Sequence, residues 1–252
     1  MRMRRLSISL VLVLVFAIVA SFGSLAWGAP ARVALSAPDA RDFPCVPMSG
    51  SFVLDGDLVE WAGAPTLALN TSTASHTEGP VPAPTLSDLS SVIYCGYIDN
   101  DLIFAGTVTD DIIVRDSSYI WLDDSIELAI DGAHDGVWDQ PDDHQFTLAV
   151  NGDITDFGTV TVATASQAIQ TFAGGWRFEV RFPSTLTHAG TFGVGKVMGF
   201  NTALNDDDGG AGRDTYMVWE GYTTYNHPEN FGTLTLVGDG GTFTPTPTAT
   251  NT

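Results

Sequence analysis

An all-β, antiparallel β-sandwich of about ten strands, jelly-roll-like in arrangement, is the fold class this sequence predicts. Three observations lead there. The run Trp176-Arg177-Phe178-Glu179-Val180-Arg181-Phe182 alternates apolar and charged residues without a fault, as a strand with one buried and one wet face requires. Turn-forming residues separate such runs, at Asp99-Asn100, Asp131-Gly132, Asn151-Gly152-Asp153, Gly174-Gly175 and Asp208-Gly209-Gly210. No segment sustains a helical period.

In chain order, the first element is not part of that sandwich. MRMRRLSISLVLVLVFAIVASFGSLAWGA combines Arg2, Arg4 and Arg5 with an apolar stretch over 10–20 and small residues at Ala26, Gly28 and Ala29. This is the layout of a secretory signal peptide, so residues 1–29 are expected to be removed and the mature chain to be secreted or extracytoplasmic, with the cell surface as one destination. The apolar run is short of the roughly 20 residues that span a bilayer. A segment over 30–48 then leads into one domain over 49–238. Strands are expected at 51–54, 92–98, 102–108, 125–130, 145–150, 159–163, 176–182, 198–204, 216–219 and 232–237, with a hairpin at 98–102. Pro80, Pro82 and Pro84 mark 72–86 as a long surface loop. Residues 239–252 are rich in Thr and Pro, a composition that favours an extended linker or tail.

Three of the ten basic residues lie in the signal, so its removal takes the formal charge from −20 to −23 and leaves Lys196 as the only lysine. A field of that sign repels phosphate backbones and anionic lipid, which argues against nucleic-acid and membrane-surface partners. Neutral ligands and cations remain. Cys45 and Cys95 both lie in the exported part, where oxidation is possible. A bridge would close a loop of about 50 residues and contribute roughly 3–4 kcal/mol. Two separate buried thiols are the alternative. Neither cysteine has a base or a positive field beside it, so neither suits a nucleophile.

The stretch YIWLDDSIELAIDG (119–132) is the most informative. Read as a strand throughout, it puts Trp121, Asp123, Ser125, Glu127 and Ala129 on one face and Ile120, Leu122, Ile126, Leu128 and Ile130 on the other, the core face. Asp124 then falls on the core side, where it must be bonded to backbone amides or to a cation. Acidic loops at 135–143 and 205–210 supply further hard oxygen ligands of the kind calcium accepts. The expected calcium ligands are Asp124, Asp142, Asp143, Asp206 and Asp208. Neither loop has the EF-hand spacing, and acidic turns that keep the protein soluble are the alternative. Asp55-Gly56-Asp57 is a third, weaker candidate.

Catalysis gains no support. Among 30 acidic residues, close carboxylate pairs arise by chance, and a glycosidase needs two placed across a bond. The five histidines, at 76, 134, 144, 188 and 227, show no metal-ligand spacing and no Ser-His-Asp context. Trp121, Trp219, Tyr222 and Tyr225 are placed at strand ends or in loops, where the apolar C–H face of a sugar can stack, with rim packing the equal alternative for each. Trp219, beside Met217-Val218, is expected in the core instead.

Seven segments, DGDLVEW (55–61), DNDLIFAGTVTDD (99–111), WLDDSIELAIDG (121–132), DDHQF (142–146), GWRFEVRFP (175–183), GFNTALNDDDGG (199–210) and HPENFGTLTL (227–236), resemble in their order the carbohydrate-binding modules of family 9. The resemblance implies a calcium-bearing β-sandwich, appended to secreted enzymes that degrade plant polysaccharide, gripping glycan ends between two aromatic rings. Trp121 would be the first ring, Glu127 of the Asp-Ser-x-Glu pattern the hydroxyl acceptor, and Tyr225 the second ring, where sugar binders of the family carry Trp. Gln145 and Tyr222 complete the expected sugar-binding set. Two departures stand out: Thr147 replaces an arginine and Ala203 a glutamine that hold sugar hydroxyls.

The expected function is therefore non-catalytic carbohydrate binding, in the service of polysaccharide degradation as part of or beside a glycoside hydrolase. The rival is a cell-surface structural or interaction sandwich that has lost its sugar site, which the two departures favour. A haem-binding relative would need facing axial Met or His residues that the sequence does not offer.

Overall fold

The computed structural model describes residues 41–48, 52–80, 82–158, 160–210 and 212–238. The expected signal peptide, the Thr/Pro tail, most of the 30–48 segment and the first residue of the 51–54 strand lie outside them. Fourteen strands form among the described residues: β1 (Asp42–Pro47), β2 (Leu67–Leu69), β3 (His76–Glu78), β4 (Leu89–Ile98), β5 (Asp101–Asp110), β6 (Ser125–Asp131), β7 (Asp143–Ala149), β8 (Ile154–Asp156), β9 (Val160–Thr161), β10 (Ser166–Phe172), β11 (Gly175–Phe182), β12 (Val197–Asp206), β13 (Thr215–Val218) and β14 (Gly232–Leu236).

They make the two layers of a sandwich. One layer runs β10-β11-β5-β4, with β2 paired to β4; the other runs β14-β12-β6-β7-β8-β9, with β13 beside β12 and β3 beside β13. Between the layers lies a single main core in which Ile93, Phe104 and Phe178 meet Ile126, Leu128, Phe146 and Phe200. Phe104 of β5 stacks on Phe200 of β12 with centroids 5.1 Å apart, and Phe146 of β7 on Phe182 of β11 at 4.1 Å. The even positions of β6 face this core as the period-2 pattern predicts.

The strand β1 belongs to both layers. Asp42 to Cys45 pair with β14 and Val46 to Pro47 with β4, both parallel, so the sandwich is antiparallel except along this seam. The strand falls in the segment that sequence set apart as a lead-in, because DFPCVP has two prolines and no alternation. Its position explains the cysteines: Cys45 and Cys95 are bridged where β1 crosses from one layer to the other.

Other differences have local causes. Strand β10 escapes sequence reading because it is an edge strand without a buried residue, and β3 and β8 are three residues each. Phe52, Val53 and Leu54 form no strand; Phe52 packs instead edge-on against Trp61. The expected wet face of β11 is covered at its centre, while Arg177 and Arg181 stay partly exposed. Glu179 is fully buried, accepting from the Asp55 and Gly56 amides at 2.9 and 2.8 Å and from Trp61 Nε1 at 2.8 Å. That is the physical role of the DGDLVEW segment, which closes over the outer face of the first layer.

Candidate functional site

The chain does not enter β6 as a strand from Trp121. Ile120–Leu122 is a single 3₁₀ turn, and the strand begins at Ser125. The expected parity therefore holds from Ser125 on and fails before it. Asp123, expected beside Trp121 on the outer face, is completely buried and pairs with the Arg115 guanidinium at 2.6 Å. Trp121 lies at the centre of that turn, and Tyr119 stacks on its ring with centroids 4.5 Å apart.

Beside that ring is a cavity of about 310 Å³, at the lower end of the ~300–1,000 Å³ typical of small-molecule sites. Trp121, Glu127, Gln145 and Tyr225, four of the five sugar-site residues expected from sequence, line it, together with Thr147, Gly158, Arg213 and Tyr216. Tyr222, the fifth, is not among the lining residues. Its hydroxyl meets His227 Nε2 at 2.9 Å on an exposed loop. Tyr225 is half-exposed and rests edge-on against Trp138, with centroids 5.7 Å apart. Gly158 must be glycine twice over: its φ is +75°, and a Cβ there would come within 3.0 Å of the Trp121 ring.

Glu127 forms the floor. Its Oε2 accepts from Gln145 Nε2 at 3.0 Å, from Tyr216 OH at 3.3 Å and, closest of all, from Thr224 Oγ1; its Oε1 accepts from Asn205 Nδ2 at 3.0 Å. A carboxylate has about four acceptor positions, so Oε1 keeps one for a ligand hydroxyl. Burial, reinforced by the Glu127 charge, pushes the Tyr216 phenol well above its usual range, which keeps it a donor. Thr147 Oγ1 is buried with no partner.

Arg213 is the residue that sequence reading missed. It reaches the cavity from the turn between β12 and β13, lies over the Tyr216 ring at 4.0 Å and donates to Asn205 Oδ1 at 2.7 Å. Among the described residues no carboxylate pairs with it, although the chain carries 30 acids. A guanidinium thus enters from β13's side of the cavity, whereas the family resemblance expects one at Thr147. The only signal in sequence was a lone arginine within an acidic, glycine-rich turn. Ala203, opposite Glu127 on β12, packs with Tyr216 and Val218 rather than reaching the cavity. Trp219 is buried as expected, under Arg41.

The acidic residues sort into three groups. Asp110, Asp124 and Asp206 bring carboxylate oxygens within 4.8 Å of one another and are buried; Asp88, Asp111 and Asp208 form a second group, and Asp116, Asp123 and Asp207 a third. Three of the expected calcium ligands, Asp124, Asp206 and Asp208, fall in these groups. Asp142 and Asp143 do not: Asp142 accepts from the Ala133 amide at 2.7 Å and Asp143 from the Asp139 amide, closing the 131–143 loop. Asp124 accepts from the amides of Val114 and Asp207, as its core position requires. Burial and then the charges of Asp124 and Asp206 push Asp110 up to about 8; burial and then the charges of Asp208 and Asp124 push Asp206 to about 7; burial, partly offset by those two amides, pushes Asp124 to about 6. Asp206 Oδ1 and Asp207 Oδ2 are buried without a partner. Three crowded carboxylates with an orphaned oxygen fit a hard dication.

Comparison with known proteins agrees with the fold. The family model described as "Carbohydrate family 9 binding domain-like" matches residues 58–239. Two solved structures of a family 9 carbohydrate-binding module from Caldicellulosiruptor kristjanssonii share the fold. The one in complex with cellotriose has a TM-score of 0.65 and 21% identity, covering 82% of this chain and 100% of that one. The one in complex with glucose has a TM-score of 0.64 and 21% identity, covering 80% and 100%. No curated protein matches significantly.

Proposed function

Because the chain belongs to the carbohydrate family 9 binding domain-like family, a family of non-catalytic binding modules, we propose that it is a secreted module that holds a sugar between Trp121 and Tyr225. One observation carries this reading. A single cavity is lined by the Trp121 and Tyr225 rings, a spare acceptor position on Glu127 and the Arg213 guanidinium, while both Gln145 N–H groups are spent on Glu127 and Thr224. Sugar rings have apolar C–H faces and a rim of hydroxyls, which such a lining matches. The cellotriose and glucose bound by the two Caldicellulosiruptor modules speak for neutral glucans as ligands. Arg213 supplies the positive donor that Thr147 lacks, which favours retained binding over a purely structural sandwich. A glycoside hydrolase, joined or separate, is the partner this role serves.

Secretion is supported by the leader composition and by the disulfide, which persists in oxidising compartments. Among the described residues no helix is long and apolar enough to cross a membrane. Calcium would be held by Asp110, Asp124 and Asp206, with Asp208 in the neighbouring group, and would supply the positive charge these carboxylates lack. Its role is to tie the 110–124 loop to the end of β12.

Titration calorimetry with glucose, cellobiose and xylobiose tests the proposal. Binding is expected, and Trp121→Ala should weaken it by about 2 kcal/mol, roughly thirtyfold, as loss of a buried aromatic anchor does. No heat with any of these sugars from the folded, calcium-supplied protein would instead favour a structural sandwich.

A further inference from the structure

The cavity described above has a neighbour. A second hollow of about 370 Å³ adjoins it, sharing Gly158 and lined also by Tyr119, Asp153, Thr155 and Thr161. Strand register connects the two floors. Glu127 of β6 lies opposite Thr147 of β7, Thr147 opposite Thr155 of β8, and Thr155 opposite Thr161 of β9. Residues directly opposite in antiparallel strands project from the same face, so one row of polar side chains runs from the first hollow into the second.

Two hydroxyls in that row have no partner. Thr147 Oγ1 and Thr155 Oγ1 are both buried and unbonded, and the Thr147 residue is only 1% exposed. Buried hydroxyls are ordinarily satisfied, and these two orphans, shielded as the side chains stand, would reach a ligand's polar groups by rotation about χ1. The aromatic wall is continuous as well. Trp121 faces the first hollow and Tyr119, stacked on it and half-exposed, faces the second. Asp153, which shares its charge with Arg115 at 3.3 Å, adds an exposed acceptor.

We infer that the second hollow is a further sugar subsite, so that the protein takes a neutral oligosaccharide whose end unit lies between Trp121 and Tyr225 and whose next units lie on Tyr119 over Thr155. The lining suits no anion, since its one charged member is a carboxylate. This inference rests on the proposed function, and the test separates the two.

Affinities for glucose, cellobiose, cellotriose and cellotetraose are measured by calorimetry on the wild type, Tyr119→Ala and Thr155→Val. In the wild type, affinity should rise at least tenfold from glucose to cellotetraose. Tyr119→Ala should reduce the tetraose-to-glucose ratio at least fivefold, and Thr155→Val two- to threefold. A flat series, with glucose binding still weakened by Trp121→Ala, would leave the sugar-binding reading standing and overturn the second subsite. So would a Tyr119→Ala variant that weakens every sugar equally, since Tyr119 would then act only by propping Trp121. Failure of every sugar to bind would overturn both.

Discussion

Glu127 shows how one residue's identity follows from its neighbours. Four donors converge on a carboxylate that is 2% exposed, and glutamine in its place would present an NH₂ to part of them. Arg213 is tied down by fewer contacts. It is held by ring stacking and one hydrogen bond, and it carries no fold-wide duty. Arg213→Ala is therefore expected to leave the melting temperature nearly unchanged while weakening sugar binding five- to tenfold, because the forked donor is lost. Arg213→Lys should recover only part of that. Unchanged affinity in calorimetry would mean that the guanidinium does not touch the sugar. The reason Arg213 was illegible is plain at this scale. A turn residue has no period, and its significance comes from Tyr216 and Asn205, which only register brings beneath it.

Among the elements, β4, β5, β6, β7, β11 and β12 were legible because each buries at least one face and writes that burial as alternation or as an apolar run. The short or edge strands β2, β3, β8 and β10 were not, although β9, with both residues exposed, falls within the expected 159–163. The 3₁₀ turn at Ile120–Leu122 was hidden for the opposite reason, since its apolar residues continue the strand's alternation. The cover over β11 is the element whose energy is most exposed to test. Burial raises the Glu179 carboxyl above its ordinary value, against three N–H groups that lower it, and those groups would be orphaned by truncation. Glu179→Ala should cost about 3 kcal/mol. For a domain of this size that is roughly 9 °C in thermal unfolding. A shift below about 2 °C would show that the Asp55 to Trp61 segment contributes little.

For the whole molecule, the acidic groups beside β12 couple folding to pH and to cations. Asp110, Asp124 and Asp206 have carboxyls raised above their unfolded values, to about 8, 6 and 7. The metal-free fold therefore binds more protons than the unfolded chain between about pH 4 and pH 8, and loses stability as pH rises through that window. A bound dication reverses the preference by favouring the ionised form. Calcium should raise the melting temperature more at about pH 8 than at about pH 5, with chelator-treated protein as reference. An equal gain at both would exclude this cluster as the site. The disulfide acts on another part of the same fold. Cys45→Ser with Cys95→Ser is expected to cost roughly 3–4 kcal/mol in denaturant unfolding, and under 1 kcal/mol would show that β1 is held without it.

The parallel pairing of β1 with β14 also has a mechanical meaning. Asp42 lies opposite Thr233 and Cys45 opposite Leu236, so the chain enters at one end of this pair and leaves at the other. Tension applied through both ends would slide the two strands along each other, loading their hydrogen bonds together in shear instead of unzipping them one by one. The covalent link from Cys45 to Cys95 would shield the 50-residue loop behind it from extension. A domain wired in this way resists being drawn out under load, and single-molecule stretching should find its first yield at this seam.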